Sequence, residues 1–91
     1  MTRLRPASAD FYAKWCGPCQ MMVPILEDVA SENQDKVAVA KVDTDKYPAL
    51  GSRFSIEGLP TFCLFKGGEV VERVEGVITK EKMMEIVEKH L

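Results

Sequence analysis

Two short apolar runs bracket a longer amphipathic stretch, and that pattern leaves the chain few folds to choose from. From about Pro18 to about Asn33, Met22, Ile25, Leu26 and Val29 recur at helical spacing, while Glu27, Asp28 and Glu32 take the wet face. Pro24 falls inside this helix, where its missing N–H predicts a kink. Ahead of it, Ala9–Ala13 predicts a short strand on the β-propensity of Phe11 and Tyr12. Ala7 and Ser8 are poor strand material and Pro6 lacks a ladder donor, so residues 1–8 are expected to be irregular. Behind the helix, Val37–Val42 is apolar up to Lys41 and reads as a buried parallel strand. Strand, helix and parallel strand make a βαβ unit with a right-handed crossover.

The rest of the chain adds a hairpin and two helices. A short helix is expected around Tyr47–Phe54, and a strand at Phe62–Phe65. Gly67-Gly68 signals a two-residue turn into a returning strand at Val70–Val74. Thr79 can cap a last helix with Met83, Ile86, Val87 and Leu91 as its apolar stripe. The order β-α-β-α-β-β-α describes an α/β chain, a mixed sheet with helices on both faces. Its 91 residues suit one small domain, 1–91, with a single core.

Between the first strand and the helix lies Trp15-Cys16-Gly17-Pro18-Cys19. Strand, Cys-x-x-Cys and helix is the setting of a redox dithiol. Cys16 falls just ahead of the first helical turn, where unpaired N–H groups and the positive end of the macrodipole favour a thiolate. Cys19, three residues on, is close enough to resolve a mixed disulfide formed at Cys16. Pro18 suits an early helical position. Two plainer readings stand beside this one: half of a zinc site, or two inert buried residues. Zinc takes four ligands, and the chain offers only Cys16, Cys19, Cys63 and His90. Cys63 lies in a strand-like run and His90 next to the C-terminus.

Composition narrows the function classes. A formal charge of -2 with scattered Lys and Arg gives no footprint for nucleic acid. No apolar run is long enough to span a bilayer. Three cysteines, an odd count, argue for a reducing compartment over a disulfide-stapled scaffold. The opening residues 1–9 are basic, rich in small residues and free of acid, which reads as the remnant of a transit peptide.

From about Asp10 to its end the chain resembles the thioredoxin family. The residues that carry this are Asp10-Phe11-Tyr12-Ala13-Lys14-Trp15-Cys16-Gly17-Pro18-Cys19, then Pro60-Thr61-Phe62, then Phe65-Lys66-Gly67-Gly68-Glu69. Within the family, Gln20–Val29 and Val42–Leu50 are most similar to the plastid y-type members. The resemblance implies a protein-disulfide reductase with a redox-active disulfide, Cys16 being the exposed nucleophile and Cys19 the buried resolving thiol. It makes Asp10 a buried carboxylate that exchanges a proton with Cys19 through water, with a raised pKa. Lys41 becomes the lysine beside that carboxylate. Pro60 becomes a cis-proline that opens the backbone of Leu59 to a target peptide. Trp15, Gly17, Pro18 and Gly76 would line the rest of a shallow apolar groove. Asp10 as an ordinary strand-start acid, Lys41 as a solvated surface residue and Trp15 as plain core are the alternatives at those positions.

The implied partners are disulfide-containing target proteins and a thioredoxin reductase, ferredoxin- or NADPH-linked. No cofactor, metal, nucleic acid or membrane is implied. The implied location is the chloroplast stroma, with the cytoplasm as alternative. Cys63 matches no catalytic position and reads as a small buried core residue. An adaptor or chaperone-like module on the same fold is the rival function, and a poorly folded truncated product the third reading. Members of the family usually begin with a further strand and helix, which are missing here. Val37–Val42 is therefore expected to be an open edge that allows a weak dimer, in a chain of marginal stability.

Overall fold

The strand at the centre of the sheet begins with residues poorly suited to strands. In the computed structural model, which describes residues 5–91, β1 runs over Ala7–Tyr12. It starts two residues before the expected Ala9, so Ala7 and Ser8 are not irregular. The reason is pairing on both sides: β1 bonds β2 (Ala38–Asp43) in parallel and β3 (Thr61–Lys66) antiparallel. The Pro6 carbonyl accepts from the N–H of Ala38 at 3.0 Å, and the Ser8 hydroxyl donates to the Ala38 carbonyl at 3.3 Å. Two flanking ladders override weak intrinsic propensity. Pro6 stands just outside the strand, where its missing donor costs nothing. The expectation for residues 1–4 lies outside the described residues.

The sheet order is β2-β1-β3-β4, with β4 (Glu69–Glu75) antiparallel to β3. Gly67 and Gly68 make the turn between them at φ +61 and +82, conformations that a two-residue hairpin requires at both positions. β2 is parallel, and it is the edge strand expected from the resemblance, not the buried strand its apolar run suggests: Ala40 and Lys41 are exposed, and β1 is its one sheet partner among the described residues.

Helix α1 (Gly17–Glu32) continues through Pro24, which is exposed. Its stripe of Met22, Leu26 and Val29 packs with Phe62 and Leu64 of β3 and with Met83, Ile86 and Val87 of α3 (Lys80–Glu88). Burying each of these larger side chains contributes about 1.5–3 kcal/mol. Thr79 caps α3, its hydroxyl oxygen accepting from the N–H of Lys82 at 3.1 Å. Leu91 falls beyond the helix end and is exposed, so it is no part of the stripe. The short α2 (Pro48–Arg53) starts on its proline and serves the other face of the sheet. There Phe54 sits between Phe11 and Phe65, with ring centroids 5.9 and 5.3 Å away. No helix among the described residues is long and apolar enough to cross a membrane.

Candidate active site

Cys16 is the N-cap of α1, in extended conformation, and the backbone N–H of Cys19 donates to its sulfur at 3.2 Å. A sulfur thus takes the capping place usually filled by a hydroxyl or carboxylate oxygen, which satisfies one orphan donor of the helix start. A thiolate at that position gains more from the donor and from the macrodipole than a neutral thiol does. Cys16 and Cys19 are joined as a disulfide, their Cα atoms 5.3 Å apart. Both are buried with Ala13 under Tyr12 and Leu59. The resemblance implies an exposed Cys16. Here it is only 5% exposed, because its sulfur is bonded to Cys19 and Leu59 packs over the pair.

Asp10 lies on β1 opposite Lys41 and Phe62. Side chains two apart on a strand share a face, so Asp10 follows Tyr12 under the disulfide side of the sheet, about 7 Å along the strand. It is 2% exposed, and Oδ1 has no hydrogen-bond partner among the described residues. Burial pushes its carboxyl up from 3.8 to about 7, and the Lys41 charge opposes the rise. Lys41 itself is exposed and lies 5.7 Å from the centroid of the Tyr12 ring.

The surface around the pair is held in place by short-range contacts. Trp15 is 73% exposed, which removes the plain-core reading, and its indole N–H donates to Asp45 Oδ2 at 2.9 Å. Asp45 is itself set by Asp43, whose Oδ1 accepts from the N–H groups of Asp45 and Lys46 at 3.0 and 3.3 Å. The Leu59–Pro60 bond is cis. The Pro60 carbonyl accepts from the N–H of Gly76 at 2.8 Å, and the Thr61 hydroxyl donates to the Gly58 carbonyl at 2.6 Å. Gly76 has φ +92, a conformation that side chains rarely tolerate. Gly17 and Pro18 are exposed next to Cys16.

Tyr12, Asp45 and Thr61 belong to this site although sequence reasoning passes over them. Tyr12 could be found from its period-two relation to Asp10. The four candidate zinc ligands do not converge. Cys63 is buried on β3 between Ala9 and Arg73, on the face opposite Asp10, and burial pushes its thiol pKa up. His90 pairs through Nε2 with Glu72 Oε2 at 2.7 Å.

The chain matches known proteins over nearly its whole length. The family model Thioredoxin covers residues 4–89. Thioredoxin Y1, chloroplastic, of Arabidopsis thaliana is 48% identical over 87 residues, which is 96% of this chain and 51% of that protein. A thioredoxin-like protein of Synechocystis is 56% identical over 73 residues, 80% of this chain and 70% of its own. The solved structure of a mutant thioredoxin from Halobacterium salinarum superposes with a TM-score of 0.87 at 42% identity, covering 93% of this chain and 74% of that one. The chain spans about half the length of the plant relatives it matches.

Proposed function

The chain belongs to the thioredoxin family, and from that premise we propose that it reduces disulfides in other proteins through Cys16 and Cys19. The observation that carries this reading is the Cys16–Cys19 disulfide at a helix start, with the Cys19 N–H on the Cys16 sulfur. In the reduced protein, the Cys16 thiolate attacks one sulfur of a target disulfide. A Cys16–target bond forms, and the other target sulfur leaves as a thiolate that takes a proton from solvent. The Cys19 thiol then loses its proton to the Asp10 carboxylate through an intervening water and attacks the Cys16 sulfur. The second target thiolate leaves, and the Cys16–Cys19 disulfide remains. Two electrons have passed to the target.

A carboxyl whose pKa stands near 7 is suited to take that proton at neutral pH. Lys41 offers a charge that favours its ionised form. Leu59, with the cis bond to Pro60, offers backbone to an extended target segment, flanked by Trp15, Gly17, Pro18 and Gly76. A thioredoxin reductase, ferredoxin- or NADPH-linked, returns the electrons. The chloroplast names of the plant relatives support a place in the stroma, with the cytoplasm as alternative. The open edge of β2 supports self-association as a second, weaker interaction. Size-exclusion chromatography over a concentration series should show elution shifting toward a dimer, and a constant monomer position would rule this out.

The test of function is whether the reduced protein passes its electron pair to a disulfide in another protein. An adaptor would bind the target and leave the disulfide intact.

A further inference from the structure

Asp10 and Lys41 stand opposite each other on β1 and β2, on the same face of the sheet, yet no ion pair joins them. Asp10 Oδ1 has no hydrogen-bond partner, and Lys41 has no carboxylate partner among the described residues. The Lys41 ammonium lies instead over the Tyr12 ring, 5.7 Å from its centroid, within reach of the attraction between a cation and a ring face. Tyr12 follows Asp10 by two on β1, so it shares that face, and it packs on the Cys16–Cys19 pair. One ring thus touches both the disulfide and the cation that neighbours Asp10.

The other groups on this face leave the ring as the holder of the ammonium. β3 brings Phe62 and Leu64, and α3 brings Met83, Ile86 and Val87, all apolar. Cys16 and Cys19, at the start of α1, are bonded to each other. Glu27 of α1 borders a groove of about 200 Å³ together with Lys41, but does not pair with it. Asp43 of β2 stands opposite Tyr12, and its Oδ1 is taken up by the N–H groups of Asp45 and Lys46.

We propose that Tyr12 is a positioning residue: its ring fixes where the Lys41 ammonium stands beside Asp10, and so sets the pH range in which Asp10 takes the Cys19 proton, an inference that rests on the dithiol reading above. An ammonium paired directly with Asp10 would hold the carboxylate ionised and occupy an oxygen that must receive the proton. An ammonium loose in water would be screened and would leave burial unopposed. On the ring it stands between these extremes, off the carboxylate but near enough for its charge to oppose the effect of burial.

The test is a double-mutant cycle read by carbon-13 NMR titration of the Asp10 carboxyl in the disulfide form, where Cys19 does not titrate. Lys41→Met should raise the Asp10 midpoint by about half a pH unit, the effect of one charge several ångströms away in a water-like medium. In a Tyr12→Leu or Tyr12→Met background it should raise the midpoint by less than half as much, because the ammonium has already left for solvent. Whatever the smaller side chain does to the hydration of Asp10 is common to both arms and cancels. Tyr12→Phe keeps the ring face, so Lys41→Met should act there as it does in the wild-type protein. Glu27→Gln should likewise preserve the Lys41 effect. The pH profile of turnover should move with the NMR midpoint. Equal shifts with and without the ring would overturn the assignment, as would no shift in the wild-type background. So would loss of the Lys41 effect in Glu27→Gln, or a turnover profile that stays put while the midpoint moves. An Asp10→Asn protein that turns over at the wild-type rate would instead remove Asp10 as the proton carrier, so the two failures are distinguishable.

Discussion

Cys19→Ser should abolish turnover and leave the protein joined to its target by a disulfide at Cys16. The first exchange needs only the Cys16 sulfur, and the N-cap environment that favours its thiolate survives, because the donor is the backbone N–H of residue 19. The second exchange needs a thiol at position 19, and a serine hydroxyl cannot displace a thiolate from sulfur. The adduct should be visible on a non-reducing gel and should disappear with a small thiol reductant. Cys16→Ser should trap nothing comparable, since Cys19 lies inside the first turn and lacks the N-cap position that favours a thiolate at Cys16. Equal trapping by the two variants would mean that the division of roles is wrong.

Asp10→Asn should slow turnover at pH 7 by about 10- to 100-fold, the lower part of the acid–base range, while stabilising the fold at alkaline pH. The sign follows from burial. Folding raises the Asp10 pKa from 3.8 to about 7, so the folded protein holds the proton more tightly than the unfolded chain. The resulting stability is fully present below about pH 4 and is lost as pH rises through about 7. At 1.36 kcal/mol per unit the loss amounts to about 4 kcal/mol, a large part of a domain's roughly 5–15 kcal/mol. Asparagine has no charge to bury, so the variant should exceed the wild-type protein by up to that amount at pH 8 and by little at pH 4. Denaturant unfolding across this range checks it. Parallel pH curves would show that Asp10 is not held neutral by burial. A buried acid that destabilises the protein at working pH is understandable if it carries a proton in the reaction.

The same physics explains what can be read before the structure and what cannot. The α1 stripe and the hairpin are legible because period and turn chemistry are local: Met22, Leu26 and Val29 mark a buried face, and Gly67-Gly68 marks a tight turn. The start of β1 is not legible, since Ala7 and Ser8 are strand only by virtue of Ala38 and Val39 on one side and Leu64 and Phe65 on the other. β2 reads as buried because Val37–Val42 is apolar, yet burial depends on its place at the sheet edge, which no local pattern records. At the site, the cysteine pair announces itself by spacing, and Asp10 by its place in a family motif. Tyr12 and Asp45 act through contacts across the fold, and Asp45 meets Trp15 from thirty positions away.

The most direct test of the dithiol account is a single-turnover transfer. The reduced protein is mixed with an equimolar disulfide-containing protein, quenched by alkylation and mapped by mass spectrometry. For each Cys16–Cys19 disulfide that forms, one target disulfide should be replaced by two thiols, with Cys63 still a free thiol. A target disulfide that stays intact, or one lost while Cys16 and Cys19 both remain reduced, would contradict it.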